Sequence, residues 1–239
     1  MPEAVEIETD ARCNRACAYC PVSIADKRTG QMSEETYKKI IEELKEWGFR
    51  GRLSYHFYNE PMMDKRLPSF IAYSRKELKK ATLVLFTNGD YLTAENIPEL
   101  FHLELDRIHI SLHNEKIQER IKKLLPALPK NLLKKIDVKS YFNAEEPMSN
   151  RGGLINIQED NFKLIDYNPG CYMIAFMVVN WEGKVVLCCN DFHAKHVLGK
   201  VESRPIRQIW QNSSKLRRQI YLGKYTLDIC KDCNIPASG

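Results

Sequence analysis

The sequence predicts an α/β fold: an open, partial barrel of parallel strands, followed by a small C-terminal α+β unit. Three observations predict it. Strand-like and helix-like runs alternate through the first two-thirds of the chain, the pattern of parallel βαβ units. Five or six such units are too few to close an eight-stranded barrel. After about Asn168 the alternation gives way to a hairpin pattern, a basic helical stretch and a Cys-x2-Cys ending. Residues 1–168 are therefore expected as the core and 169–239 as the appended domain.

The elements follow in order. Residues 5–9 read as the first strand, and a cysteine-rich loop follows it. A helix opens at Ser33, an N-cap type, with Glu34 and Glu35 suited to the positive end of its dipole. Tyr37, Ile40, Ile41, Leu44 and Trp47 recur at helical spacing, and Gly48 is a stop signal. Residues 53–58 form a second strand and residues 68–80 a helix. Strands over 82–87, 107–112 and 136–141 alternate with helices from about Thr93 and Glu115. Residues 175–180 and 184–187 predict a hairpin around Trp181-Glu182-Gly183.

Composition narrows the class. The 239 residues, 44% of them hydrophobic, suffice for a large core. No apolar run of about 18 residues predicts a membrane span. The acidic N-terminal run lacks a signal pattern, which predicts a cytoplasmic protein. In a reducing compartment eight cysteines read as metal ligands rather than disulfides. The net charge of +5 demands no polyanionic partner. Eight Lys/Arg against the single acid Glu202 lie between Lys195 and Lys224. No aromatic-rich nucleic-acid motif accompanies them, so a solvated helix face is expected and a nucleic-acid partner is not.

Cys13, Cys17 and Cys20 stand in Cys-x3-Cys-x2-Cys spacing, with the aromatic Tyr19 before the last. Three thiolates on one loop can hold three corners of a four-iron cluster and leave one iron open. This run, directly after a strand-like segment, resembles the signature of the radical S-adenosylmethionine (SAM) family. The resemblance implies a partial (β/α)6 radical SAM barrel, a SAM-binding 4Fe–4S cluster and production of a 5′-deoxyadenosyl radical. It also implies an electron donor such as flavodoxin or ferredoxin.

Cys171, Cys188, Cys230 and Cys233, with Gly183-x4-Cys188, resemble the family's twitch domain, a shortened SPASM extension. The resemblance makes them the four ligands of an auxiliary 4Fe–4S cluster. A structural zinc site is the alternative for the same four thiolates. Tyr58-Asn59-Glu60-Pro61 resembles, in part, the Gly-Gly-Glu-Pro motif that engages the SAM amino group. Glu60 would pair with that ammonium. By the same resemblance Tyr19, Asn59, Pro61, Thr87, Asn88, Ser111 and His113 border SAM. Arg151, in Ser149-Asn150-Arg151-Gly152-Gly153, would clamp the SAM carboxylate or a substrate hydroxyl.

Within the family, the motifs are most similar to a dehydrogenase that oxidises an aminocyclitol carbinol. A small polar substrate is implied: a sugar, aminocyclitol or alcohol. Cys189-Asn190 departs from that enzyme, which has an aromatic residue and an acid there. A free Cys189 could return a hydrogen atom, as in radical SAM epimerases, or be a buried structural thiol. Epimerisation is therefore a second reading. Peptide modification is a third, although no leader-peptide-binding segment is expected ahead of the first strand.

Overall fold

The computed structural model describes residues 1–26, 28–142, 148–156 and 170–233. The expected boundary at 168/169 and the expected change at Asn168 fall outside them. Among the described residues one eight-stranded sheet runs in the order β5-β4-β3-β2-β1-β6-β7-β8. Its strands are β1 (Ala4–Ile7), β2 (Arg52–Ser54), β3 (Thr82–Thr87), β4 (Arg107–Leu112), β5 (Ile136–Ser140), β6 (Phe176–Val179), β7 (Lys184–Val186) and β8 (Val197–Lys200). The first six are parallel, whereas β7 and β8 are antiparallel additions at the β6 edge.

The sixth parallel strand is half of the hairpin expected in the C-terminal segment. It pairs with β1, placing Glu6 opposite Val178 and Ile7 opposite Val179. The C-terminal segment thus extends the sheet of the core.

Helices α1 (Glu34–Glu46), α2 (Leu67–Glu77), α3 (Asn96–His102), α4 (Glu115–Leu124) and the single turn α5 (Lys130–Leu133) connect the first five strands. Ser33 caps α1 by accepting the Thr36 N–H at 3.1 Å. Tyr37, Ile40, Ile41 and Leu44 are its buried face. Trp47 is the C-cap, and Gly48 takes φ +75°, where a side chain would be strained. Thr93 and Asn96 cap each other reciprocally at the start of α3, at 2.9 and 3.1 Å.

The expected second strand stops early. Asn59 folds the chain back: its Oδ1 accepts the Phe57 N–H at 2.9 Å. Glu60 N–H then donates to Arg12 O, so this segment leaves the sheet and crosses its C-terminal edge.

Alternation along the strands sorts the side chains. Val5, Ile7, Leu53, Leu83, Leu85, Ile108 and Ile110 join the helices in the main core. Glu6, Arg52 and Phe86 take the opposite face and line a cavity there. After β8 come α6 (Ile206–Asn212), α7 (Ser214–Tyr221) and α8 (Asp228–Lys231). Among the described residues no helix is long and apolar enough to cross a membrane.

Candidate active site

A cavity of about 610 Å³ opens on the sheet face opposite the main core, towards the C-terminal ends of the parallel strands. Cys13, Cys17, Tyr19 and Cys20 reach it from the loop after β1. Asn59 and Glu60 border it from the crossing segment, Thr87 and Asn88 from the end of β3, and Ser111 and His113 from the end of β4. Arg151 and Cys189 line it as well. Of the residues expected around SAM and substrate, Pro61 alone is not on its wall. Pro61 opens a one-turn 3-10 helix and is buried beneath the wall.

Glu60 joins two strand ends. Its Oε1 accepts the Thr87 hydroxyl at 2.7 Å and the Met62 N–H at 3.1 Å, and its Oε2 accepts the Asn88 N–H at 2.7 Å. A carboxylate offers about four lone-pair sites, so one acceptor position remains. Burial pushes the Glu60 carboxyl up to about 7, against those three donors.

The cysteine loop is tied to the β3 loop. Arg15 donates Nε and Nη2 to the two carboxylate oxygens of Asp90, at 2.7 and 2.6 Å. Asn14 donates to Asp90 at 2.7 Å and accepts from Asn88 Nδ2 at 2.7 Å. Burial opposes ionisation of Asp90, but these donors outweigh it and hold the carboxyl below its usual range. Tyr19 and His113 share a hydrogen bond through Oη and Nδ1. Burial, aided by Arg15, pushes His113 down to about 4, so its ring is neutral near pH 7.

The far half of the cavity also holds Glu6 and Arg52, which no motif revealed. Arg52 donates to Glu6 at 2.7 Å and lies 5.1 Å from the ring centroids of both Phe86 and Phe176. Burial raises the Glu6 carboxyl, with Arg52 opposing. His56 Nε2 is 3.8 Å from Glu6, yet burial and Arg52 push its ring down to about 3, so this is no ion pair. Among the described residues, His56 Nδ1, Tyr58 Oη and Arg151 Nε are buried without hydrogen-bond partners. Buried polar atoms are rarely left so, and all three residues line the cavity. Glu8, fully buried, braces this half. It takes Arg28 in a two-point pair at 2.8 and 2.6 Å and the Tyr58 N–H at 3.2 Å.

A second, smaller cavity is lined by Cys171, Cys188, Cys230 and Cys233 together with Ile174, Leu187, Ile220, Tyr225 and Ile229. Apart from the sulfurs its wall is almost wholly apolar, and burial raises all four thiols. Four thiolates of this kind can hold either tetrahedral zinc or an iron–sulfur cluster. Among the described residues no three His, Cys, Asp or Glu are grouped to hold a single ion. Cys188 faces this cavity while Cys189 faces the first.

Residues 7–136 match the Radical SAM superfamily, and residues 171–234 match an iron-sulfur cluster-binding domain, SPASM. The S-adenosyl-L-methionine-dependent 2-deoxy-scyllo-inosamine dehydrogenase of Niallia circulans is 31% identical over 96% of this chain and 92% of its own. A crystal structure of BtrN in complex with AdoMet and 2-DOIA superposes with a TM-score of 0.88. It is 29% identical, and the match covers 98% of this chain and 94% of that one. BtrN in an open conformation, 27% identical, gives 0.76 with coverage of 98% and 93%. The fold, the two matched domains and the full-length similarity agree: the chain belongs to the radical SAM superfamily, with SAM and two 4Fe–4S clusters as cofactors and an auxiliary-cluster domain at its C-terminal end.

Proposed function

We propose that this enzyme is a radical SAM dehydrogenase that oxidises a carbinol of a small hydroxyl-rich molecule, in the class of sugars, aminocyclitols and alcohols. One observation carries the reading. A single cavity, within the roughly 300–1,000 Å³ range of small-molecule sites, is lined both by the three-cysteine loop and by His56, Tyr58 and Arg151, whose side chains each carry an unpartnered polar atom. The four-cysteine cavity lies behind it, one residue away along the chain at Cys188-Cys189.

Cys13, Cys17 and Cys20 hold the SAM cluster in this reading, and Cys171, Cys188, Cys230 and Cys233 the auxiliary one. When bound, these groups supply a hydrogen-abstracting radical and an acceptor for one electron. The chain's own residues bind and orient. Glu60 offers its free acceptor position to the SAM ammonium. Asn59, Thr87, Asn88 and Ser111 supply polar atoms along the same wall, and Tyr19 and His113 close its end. Pro61 fixes the turn behind Glu60. Arg151 and Tyr58 donate to substrate hydroxyls, and Glu6 accepts from a hydroxyl or ammonium group. The substrate loses a hydrogen atom, a proton and an electron, and becomes a carbonyl compound.

Epimerisation through Cys189 is the weaker reading. Burial pushes this thiol well up, so it stays protonated beside the cavity, but the full-length relative is a dehydrogenase. An electron donor such as flavodoxin or ferredoxin and a cytoplasmic setting complete the proposal. The test is anaerobic incubation of the reconstituted enzyme with SAM, dithionite and a panel of aminocyclitols and sugars. Formation of 5′-deoxyadenosine together with a ketone product supports the reading. SAM cleavage with no oxidised product from any panel member opposes it.

A further inference from the structure

The loop that carries Arg151 lies across the Cys-x2-Cys segment. Asn150 Nδ2 donates to Asp232 O at 2.5 Å. Gly152, at φ +67°, fits so closely that a Cβ would meet Ile229 Cγ1 at 2.7 Å. A side-chain donor reaches the sulfur of Cys233: Asn190 Nδ2 lies 3.1 Å from its Sγ. Asn190 is buried, at 1% exposure. Its amide is oriented from its other side, where Ser149 donates its hydroxyl to Oδ1 at 3.4 Å. Ser149 and Gly152 flank Arg151 in the chain, and Asn190 follows Cys188-Cys189.

We infer that Asn190 is a positioning and tuning residue for the auxiliary cluster: its amide, set by Ser149, donates to the Cys233 sulfur and raises the potential at which the cluster takes up an electron. The inference rests on the assignment of Cys233 as a cluster ligand. Adding an electron to an iron–sulfur cluster increases negative charge on its sulfurs. A fixed N–H dipole aimed at a sulfur stabilises that charge, and hydrogen bonds to the sulfurs are among the determinants of cluster potential. In this buried site the dipole is little screened. Because Ser149 and Gly152 bracket Arg151, one loop holds the cavity-facing guanidinium, orients the Asn190 donor through Ser149 and packs on the four-cysteine segment through Gly152.

The test removes the SAM cluster so that only the auxiliary signal is read. In the Cys13→Ala, Cys17→Ala, Cys20→Ala variant of the full chain, a redox titration followed by electron paramagnetic resonance gives the midpoint potential. Adding Asn190→Leu, which keeps the approximate shape and removes the donor, lowers the ratio of reduced to oxidised cluster about tenfold at fixed poise. That is 59 mV for a one-electron couple. Asn190→Asp lowers it further, because a carboxylate adds negative charge at the sulfur. Ser149→Ala frees the amide and gives a smaller shift in the same direction, which carries the test if an Asn190 variant fails to hold iron. A triple variant with no cluster overturns the ligand assignment and the inference with it. An intact cluster whose potential is unmoved by Ser149→Ala and Asn190→Leu overturns the inference alone.

Discussion

Arg15 and Asp90 form a two-point ion pair, at 2.6 and 2.7 Å, between the cysteine loop and the loop after β3. The pair is largely shielded from solvent, with side-chain exposures of 16% and 26%. It fixes a loop that otherwise has little regular structure against the rim of the sheet. Asp90→Asn keeps the shape and removes the charge. A charge-assisted bond of this kind contributes roughly 1.5–3 kcal/mol, less where solvent reaches it. The variant is expected to lose iron from the N-terminal cluster first. After reconstitution its iron content falls from about eight towards four per chain, and SAM cleavage falls with it. Unchanged iron and cleavage would mean that the cysteine loop holds its shape without Asp90.

Glu60 matters for SAM binding more than for folding in this account. Glu60→Gln removes the negative charge and also leaves one of the Thr87, Asn88 and Met62 donors without an acceptor. SAM affinity should fall by about 1.5–3 kcal/mol, roughly 10- to 100-fold, in equilibrium binding to the reconstituted enzyme. Wild-type affinity in this variant would remove Glu60 from the SAM pocket.

The same carboxyl gives SAM binding a pH dependence. Burial places Glu60 at about 7 without ligand. A cationic ligand favours the ionised form, so below this value binding must first release the proton. Affinity is therefore level above pH 7 and weakens as the pH falls through it, by up to tenfold per unit. Isothermal binding between pH 6 and 8 measures the slope, and Glu60→Gln should flatten it. A slope that survives the substitution belongs to another group.

Gly152→Ala should loosen the Arg151 loop from the four-cysteine segment. A left-handed backbone costs a non-glycine residue about 1–2 kcal/mol, and displacing Ile229 adds a comparable overpacking cost. For a chain of this size each kcal/mol corresponds to roughly 2–4 °C in Tm. Thermal unfolding monitored by circular dichroism should show a fall of several degrees, together with weaker substrate binding. A Tm equal to wild type would show that the loop yields freely at Gly152.

Much of this was legible in the sequence because it rests on local rules. Ser33, Gly48 and the apolar spacing between them announce α1, and cysteine spacing announces both cysteine sets. The position of β6 was not legible. Its partner is β1, about 170 residues earlier, and pairing over such separations leaves no local signature. Glu6 and Glu8 were hidden for a related reason. Alternating acids on an edge strand would face water, and only the placement of β1 between β2 and β6 shows that they are buried. Asn59, expected at the SAM site, also folds the chain back after β2 through its side chain, so one residue shapes the loop and borders the cavity. Tyr58 and His56 stood beside or within the Asn59-Glu60-Pro61 motif with no role of their own; their polar atoms left without partners single them out in the structure.

The central claim is that the substrate radical is oxidised rather than repaired by a hydrogen atom. Product made in deuterated water and returned to ordinary water for mass analysis decides between these fates. Oxidation predicts a carbonyl product two mass units lighter than substrate, formed also by the Cys189→Ala variant. A product one unit heavier, carrying deuterium at an inverted carbon and lost with Cys189→Ala, would contradict the account and establish an epimerase.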